Sequence, residues 1–221
     1  MKLSKRLQAI YDMVPSGVAA DVGSDHGKLI ISLFEGGVIS KGYAIENKKG
    51  PYTRLVKAIE DSGCQDHIIP MFSDGISELP KDVDIVILAG MGGINIVDIL
   101  KSHLGKLKNV RTSIVDAHNA IPEMRKAVCK MGYIIADEDI VQDGGKYYEI
   151  IKFVAGECAY LDDADYEFGP VLSKEKSCIF KEKYESRIDE MTKHIVDNEG
   201  LDKAFIPLNF DDIKDILIKS L

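Results

Sequence analysis

The sequence predicts an α/β fold: a doubly wound, mostly parallel sheet with an antiparallel hairpin at one edge, followed by a C-terminal helical coiled-coil hairpin. Three observations predict it. Short apolar strand-like segments alternate with helical segments five times. Two further strand-like segments are joined by the turn sequence Asp143-Gly144-Gly145. Apolar residues then recur at coiled-coil spacing near the C-terminus.

A first helix is predicted by apolar residues at every third or fourth position, and Pro15 ends it. Strands are expected at 18–22, 42–45, 68–72, 85–89 and 113–115, and helices at 29–34, 52–59, 94–107 and 123–131. The closing hairpin is expected at 133–136 and 147–153. Ligands bind such sheets beyond the carboxyl ends of the strands, so the residues after each strand are the candidates for a site.

The tail predicts a helical hairpin. One apolar stripe runs along a charged helix, Gly200 and Pro207 interrupt it, and a shorter apolar face follows. The stripe is Phe180, Tyr184, Ile188, Met191 and Ile195, and the shorter face is Ile213, Ile216, Leu217 and Leu221. We therefore divide the chain into a sheet domain at 1–156 and a helical hairpin at 157–221. A stabilising element or dimer seam and an RNA-contacting arm both fit the hairpin at this point.

Charge and cysteine content limit the class of protein. The net charge is −8. Residues 1–130 carry 17 basic and 15 acidic residues, whereas residues 131–221 carry 11 basic and 21 acidic residues. The N-terminal part of the chain can therefore still present basic patches. The start lacks the apolar core of a signal peptide, and no stretch reaches the ~20 apolar residues of a membrane span. The four cysteines lack CxxC spacing and predict reduced thiols. We expect a cytoplasmic protein without a metal site, as a monomer or weak homodimer.

The loop after the first strand, Asp21-Val22-Gly23-Ser24-Asp25-His26-Gly27, predicts the cofactor. A dinucleotide fingerprint needs a second glycine against the pyrophosphate, and Asp25 stands there instead. A carboxylate would repel a diphosphate, which disfavours NAD and FAD. S-adenosylmethionine carries an ammonium and a sulfonium and no phosphate, so an acidic loop suits it.

Later strand ends extend this site. Glu46 ends the second strand at the distance where an acid accepts from ribose hydroxyls, and Asp74 follows the third, where it could accept from an adenine amino group. A glycine-rich run after the fourth strand predicts close approach of backbone to a flat base or to the transferred methyl. The predicted cofactor-binding residues are Asp21, Gly23, Ser24, Glu46, Asp74, Gly75, Ala89, Gly90, Met91 and Gly92.

The combined motifs resemble a known family. They are Gly23-Ser24-Asp25-His26, Glu46 with Gly50-Pro51, Asp74-Gly75, Ala89-Gly90-Met91-Gly92-Gly93, Arg125, Gly145-Lys146-Tyr147-Tyr148-Glu149-Ile150 and Phe168-Gly169-Pro170. In order and spacing they resemble the bacterial tRNA adenine N1-methyltransferases that modify adenine-22 in the D-arm, over residues 1–180. The resemblance implies a Rossmann-like class I methyltransferase domain, a C-terminal coiled-coil hairpin, S-adenosyl-L-methionine as cofactor and tRNA as partner.

The chain departs from that family on the acceptor side. Gly27-Lys28-Leu29-Ile30 replaces an Ala-Tyr-Leu-Pro-like run, and Asp116-Ala117-His118 replaces Gln-Pro-Asn. The sequence therefore leaves several alternatives open: a divergent enzyme of the same specificity, a methyltransferase with a shifted tRNA target or with a small-molecule or protein acceptor, and a non-catalytic cofactor- or RNA-binding paralogue.

Candidate catalytic residues follow from the chemistry of adenine N1. Its lone pair needs no strong base, so alignment and stabilisation of the developing positive charge should dominate. We assign Asp25 and Asp116 as the carboxylates and His26 and His118 as positioning groups. The candidate phosphate contacts form three basic clusters: Lys2, Lys5 and Arg6; Lys48 and Lys49; Arg125, Lys126 and Lys130.

Overall fold

The computed structural model describes residues 2–197, with side chains to residue 188. Its strands are β1 (Gly17–Val22), β2 (Ile39–Glu46), β3 (Ile68–Phe72), β4 (Ile85–Met91), β5 (Thr112–Ala117), β6 (Tyr133–Asp143) and β7 (Lys146–Ala155). Its helices are α1 (Lys5–Met13), α2 (Lys28–Glu35), α3 (Lys49–Ser62), α4 (Gly93–Ser102), α5 (Ile121–Lys130), α6 (Asp163–Phe168), α7 (Leu172–Glu175) and α8 (Cys178–Asp197).

The strands form one sheet in the order β3-β2-β1-β4-β5-β7-β6. The pairs among β1 to β5 are parallel, whereas β7 runs antiparallel to both β5 and β6. Helical crossovers bring strands back in the same direction, while the tight turn at Gly144-Gly145 reverses the chain. The prediction of a mostly parallel sheet with an antiparallel edge hairpin is confirmed. Because the order reverses between β1 and β4, their carboxyl ends open a crevice there.

Apolar side chains fill both faces of this sheet. Ile10 of α1 and Leu33 of α2 belong to the core on one face, and Ile96 of α4 and Val128 of α5 belong to the core on the other. Alternate strand residues supply the two cores, Ala19 to the first and Ala20 to the second. The sheet is thus doubly wound, as predicted.

Two predicted elements differ in extent. The helix predicted at 94–107 ends at Ser102, and a 3-10 helix at Leu104–Asn109 continues the path. Leu107 is buried at helical spacing from Leu100, which explains why periodicity alone extended the helix. The strand predicted at 133–136 continues to Asp143, because β6 pairs with β7 along its whole length.

The first part of the C-terminal stripe, which is Phe180, Tyr184 and Ile188, packs onto the sheet domain, and the side chains of Met191 and Ile195 lie outside the described residues. Phe180 and Tyr184 of α8 are 1% exposed and form a cluster with Phe168, Leu172 and Ile140 of β6. The predicted return helix with Ile213, Ile216, Leu217 and Leu221 lies outside the described residues. The domain boundary after residue 156 stays a prediction.

Other general features concern the cysteines, metals and membranes. Cys64, Cys129, Cys158 and Cys178 are free thiols, as predicted. Within residues 2–197, no cluster of three or more His, Cys, Asp and Glu side chains could hold a metal ion. None of the helices in that range combines the length and apolar character needed to cross a bilayer.

Candidate active site

The loop between β1 and α2 is built from left-handed backbone. Gly23, Asp25 and Gly27 have φ values of +79°, +45° and +66°. The amides of Gly23 and Ser24 donate to the carbonyl oxygen of Ile45 at 2.9 and 3.1 Å, which fixes the loop to the end of β2. Glycine suits this turn because it adopts positive φ without a steric penalty.

One side of this loop borders a cavity of about 130 Å³. The cavity lies at the ends of β1 to β4, and five of the predicted cofactor-binding residues line it: Gly23, Glu46, Asp74, Gly75 and Met91. The predicted set lacks six other lining residues, namely Val22, Ile45, Asn47, Ser73, Asn95 and Ile99.

Asn47 forms hydrogen bonds to both Glu46 and Asp74. Oε1 of Glu46 accepts the amides of Asn47 and Lys48, both at 3.0 Å, which fixes the carboxylate at the end of β2. The side-chain amide of Asn47 donates to Asp74 at 2.9 Å. Oε2 of Glu46 keeps its acceptor capacity, so this wall of the cavity suits a ligand with vicinal hydroxyl groups.

A second cavity, of about 330 Å³, shares Gly23 with the first. The predicted residues that line it are Asp21, Ser24, Asp25, His26, Ala89 and Gly90. Arg6 of α1 also lines it, although the sequence suggested a phosphate contact for this residue. The two cavities form a cleft across the point where the strand order reverses.

Asp21 is a buried acid in the second cavity. Burial raises the pKa of its carboxyl to about 6, opposed by a hydrogen bond from Ser24 and by the charge of Arg6. Ser24 Oγ donates to Asp21 Oδ2 at 2.6 Å. A buried carboxylate gains most from a cationic ligand, because a positive charge offsets its lost hydration.

Arg6 and Asp116 meet beside this cavity. Nε of Arg6 donates to Oδ2 of Asp116 at 2.5 Å, and Asp116 is wholly buried. Oδ1 of Asp116 has no hydrogen-bond partner among the described residues. The guanidinium carbon lies 5.2 Å from the ring centre of Tyr148, and the amide of Arg6 donates to Asp143. The interpretation of Arg6 as a free phosphate contact is therefore wrong, since its side chain turns inward.

The glycines at the end of β4 and the start of α4 permit close approaches of two kinds. A Cβ at Gly90 would lie 2.6 Å from Nη2 of Arg6, and one at Gly93 would lie 2.6 Å from the carbonyl oxygen of Asn119. A Cβ at Gly92 would meet the side chain of Asn119 at 3.0 Å. Only Gly90 is crowded by a side chain of the cleft, while Gly92 and Gly93 allow α4 to pack on the loop after β5.

The remaining predicted catalytic residues lie at the rim. Asp25 is 55% exposed and faces Arg54 at 3.3 Å and His26 at 3.5 Å. His118 is exposed and lies edge-on to Tyr148, with ring centres 6.1 Å apart. Asp116 is thus the buried member of the four, and the roles of all four stay predictions.

Arg125 corrects another expectation. Its side chain is completely buried between Glu138 and Glu149, at 2.7 and 2.6 Å, so it cannot contact a phosphate. Its Nη1 also donates to the carbonyl oxygen of Tyr166 at 3.0 Å. A Cβ at Gly169 would lie 2.7 Å from Nη2 of Arg125. Three of the sequence motifs, those containing Arg125, Glu149 and Gly169, therefore form one structural junction.

Neither Arg6 nor Asn47 carried a usable sequence signal for the site. Asn47 adjoins Glu46, and its amide is one of many exposed polar groups until the fold brings Asp74 beside it. Arg6 reaches the cleft because α1 packs against the β6–β7 hairpin, a contact between residues that are distant in sequence.

The cleft has the features that S-adenosylmethionine requires. Gly90 leaves room where a Cβ would collide with Arg6, carboxylates stand at three neighbouring strand ends, and a buried acid suits a cation. The donor and acceptor set therefore fits a cationic nucleoside with an amino-acid tail.

Comparisons with known proteins agree with this geometry. The sequence model of the tRNA (adenine(22)-N(1))-methyltransferase family matches residues 19–205. The tRNA (adenine(22)-N(1))-methyltransferase of Bacillus subtilis is 33% identical over 83% of this chain and 80% of its own. Its m1A22 tRNA methyltransferase crystal structure superposes with a TM-score of 0.82, at 29% identity over 99% of this chain and 95% of that one.

A second solved structure extends the likeness to a cofactor complex. A Streptococcus pneumoniae protein in complex with S-adenosyl-L-methionine gives a TM-score of 0.91 at 33% identity, covering 98% of this chain and all of that one. The family match covers most of the sheet domain and continues beyond it. This chain belongs to the tRNA (adenine(22)-N(1))-methyltransferase family.

Proposed function

We propose that this chain transfers a methyl group from S-adenosylmethionine to N1 of adenine-22 in tRNA. The observation that carries the proposal is the cleft itself: carboxylates at neighbouring strand ends surround two adjoining cavities, in a chain whose family match spans residues 19–205. The residues of the first cavity would hold the nucleoside, and those of the second would hold the amino-acid end.

When bound, S-adenosylmethionine supplies an electrophilic methyl group on its sulfonium. Glu46 accepts from the ribose hydroxyls through Oε2, because its Oε1 is engaged by backbone amides. Asp74 and Gly75, which line the first cavity, would hold the base, and buried Asp21 would hold the ammonium group. Ser24, Ala89, Gly90, Met91 and Gly92 complete the predicted walls.

Asp116 acts on the acceptor side. Its Oδ2 is held by Arg6 and its Oδ1 is buried, so it acts on the acceptor through its negative charge and not by direct contact. Methylation at N1 spreads positive charge over N1 and the exocyclic amino group of adenine, and a fixed carboxylate stabilises this charge. Guanine carries a proton on N1 and therefore lacks the lone pair that attacks the methyl group.

Asp25, His26 and His118 serve at the rim in this proposal. Their exposure suits contacts with a nucleotide that has left its stack, and a base in folded tRNA must be turned out before its N1 can be reached. Phosphate contacts from exposed Lys5, Lys48 and Lys49 offset part of the unstacking cost of a few kcal/mol.

The proposal also includes the cellular compartment, the metal requirement and the oligomeric state. A tRNA substrate and four free thiols fit the cytoplasm, where thiols stay reduced. The lone pair of N1 attacks without a Lewis acid, so the reaction needs no metal ion. We expect a monomer or weak homodimer, with residues 1–156 as the catalytic domain, and sedimentation of the full chain measures its state.

A direct test uses two tRNA transcripts that differ only at position 22. The protein is incubated with S-adenosylmethionine labelled on the methyl group, and the RNA is digested to nucleosides. We expect 1-methyladenosine from the transcript with adenine-22 and none from the transcript with guanine-22. Label at another position or another atom would overturn the proposed target, and cofactor binding without transfer would support the non-catalytic alternative.

A further inference from the structure

Asp143 lies at the tip of the β6–β7 hairpin and reaches the first turn of α1. Its Oδ2 accepts the amide of Arg6 at 3.1 Å, across 137 positions of sequence. The amide of Arg6, a hydrogen bond from Ser4 and the charges of Lys5 and Arg6 hold the pKa of this carboxyl below its ordinary value. The hairpin therefore caps a helix that lies near the start of the chain.

The helix α1 has a local cap as well. Ser4 is its N-cap, with φ −68° and ψ 164°, and its Oγ accepts the amide of Leu7 at 3.3 Å. A local cap of this kind satisfies an unpaired amide of the first turn and favours the start of the helix. The bond from Asp143 adds what Ser4 cannot supply, because it fixes the first turn relative to the sheet.

The first turn of α1 lies outside the part of the helix that the core holds. The buried side chains of α1 begin at the middle of the helix and are Ala9, Ile10 and Met13. Within the first turn, Leu7 is only partly buried against this core. Helix ends fray where few contacts hold them. The position of Arg6 therefore depends on the bond to Asp143 more than on packing.

The side chain of Arg6 makes this position important. Its Nε donates to Oδ2 of the wholly buried Asp116 at 2.5 Å, and the ring of Tyr148 lies 5.2 Å from its guanidinium carbon. Within residues 2–188, Oδ1 of Asp116 has no hydrogen-bond partner. A buried carboxylate that loses its cation is strongly destabilised, so displacement of Arg6 must also disturb Asp116. One hairpin thus holds both ends of Arg6, its amide through Asp143 and its guanidinium through Tyr148.

We propose that Asp143 is a positioning residue for methyl transfer. It fixes the first turn of α1, this turn sets the guanidinium of Arg6, and Arg6 holds Asp116 beside the cleft. Asp143 lines neither cavity of the cleft, so it acts through Arg6 and not by contact with a ligand. The inference rests on the proposed function, in which the charge of Asp116 stabilises the methylated adenine.

Hydrogen exchange at Nε of Arg6 tests the first step without cofactor or RNA. The chain has five arginines, and the side-chain NMR signal that is missing from Arg6→Lys identifies this one. A proton bonded to a buried carboxylate exchanges with water when the contact opens. We expect Asp143→Ala to speed this exchange about threefold to thirtyfold, the range that a lost cap implies. Asp143→Asn keeps an acceptor oxygen and should stay within about twofold of wild type.

Steady-state methylation tests the second step. We expect kcat/KM for tRNA with adenine-22 to fall about threefold or more in Asp143→Ala and to stay within about twofold of wild type in Asp143→Asn. Asp12→Ala is the matched control, because it removes an exposed acid of α1 that accepts from Gln8. It should change neither the exchange rate nor kcat/KM. Urea denaturation of each variant establishes that it is folded.

Two results would overturn the inference: an unchanged exchange rate in Asp143→Ala, or faster exchange with an unchanged kcat/KM. Equal impairment of Asp143→Asn and Asp143→Ala would also reject it, because a cap needs the acceptor oxygen and not the charge. The proposed function fails separately. A wild-type protein that leaves adenine-22 unmethylated would refute the proposed acceptor, while the exchange rates would still decide whether Asp143 positions Arg6.

Discussion

Nη2 of Arg125 lies 2.6 Å from Oε2 of Glu149, and solvent reaches neither side chain. Burial by itself would raise the pKa of Glu149, but Arg125 and Lys183 hold it below its ordinary value. Lys183 belongs to α8, and Arg125 also binds the carbonyl oxygen of Tyr166 in α6. The pair therefore joins the C-terminal helices to the sheet.

Removing this arginine should unfold the junction. Arg125→Met leaves Glu138 and Glu149 buried without their shared cation, and we expect a loss of about 3–5 kcal/mol in the free energy of unfolding. Urea denaturation measures this loss. The exposed pair Lys126–Asp163 is the comparison, since Lys126→Met should cost less than about 1 kcal/mol. Similar losses in both variants would contradict the assigned role of the junction.

A methyl group at position 90 should displace Arg6. In Gly90→Ala the new Cβ would stand 2.6 Å from Nη2 of Arg6, at a backbone φ of +81°. We expect kcat/KM for tRNA methylation to fall about tenfold or more, because the side chain that holds Asp116 must move. Gly37 has a φ of +71° with no atom near its Cβ position.

Gly37→Ala therefore measures the effect of backbone strain alone, without the contact between a new Cβ and Arg6. It should cost about 1–2 kcal/mol of stability and leave kcat/KM within about twofold. Unfolding curves and steady-state methylation rates of the two variants give the comparison. A Gly90→Ala variant with normal activity would show that Arg6 is not needed at its observed position.

Because Asp21 is buried, we expect the stability of the ligand-free protein to depend on pH. Its folded pKa of about 6 exceeds the ordinary value of 3.8, so between these values the folded state holds a proton that the unfolded state has released. Stability therefore falls as pH rises from about 4 to about 6, by about 3 kcal/mol in total. Asp21→Asn removes this effect, so the variant should gain most relative to wild type at pH above about 6 and nothing near pH 4.

Urea denaturation across this pH range tests whether the free energy of unfolding falls as the pH rises. Asp61→Asn, an exposed position on α3, should keep the wild-type slope. If wild type and Asp21→Asn show parallel pH profiles, Asp21 is not the buried acid that titrates. The variant should also bind S-adenosylhomocysteine more weakly at pH 7, because the ammonium group loses its charged partner.

Glu46 should contribute to the binding of every ligand that contains the ribose. Glu46→Gln keeps a carbonyl oxygen for the amides of Asn47 and Lys48 but loses the charge offered to the ribose. We expect about tenfold weaker binding of both S-adenosylhomocysteine and 5′-methylthioadenosine, since both contain the ribose. Calorimetry checks this, with exposed Glu60→Gln on α3 as the matched control. Equal affinities in the two variants would remove Glu46 from the site.

The sequence predicted the sheet and one wall of the cleft because those features are local. Alternating apolar segments specify strands and helices, and parallel strands place their carboxyl ends together, so Glu46 and Asp74 could be placed beside one cavity from their positions alone. The glycines of the first loop likewise mark positive φ at Gly23 and Gly27. The predicted length of α4 was wrong, because Leu107 continues the apolar spacing beyond the end of this helix.

Charged side chains were harder to place, and the two arginines show why. In the sequence Arg6 and Arg125 both lie in basic clusters typical of a solvated surface. In the structure the first points into the cleft and the second lies in the core, because residues 116, 138 and 149 bring carboxylates to them across the sheet. A charge can be buried only where a partner offsets its lost hydration, and that partner comes from distant strands.

By itself the sequence determined the order of the elements, the doubly wound sheet and the acidic strand ends that select a cationic nucleoside. Tertiary structure alone decided which cations face the cleft and which join the C-terminal helices to the domain. The physical reason is the sequence distance over which each interaction acts. Periodicity and turn chemistry act over a few residues, whereas the environment of Arg6 depends on Asp116, Tyr148 and Asp143, more than a hundred positions away.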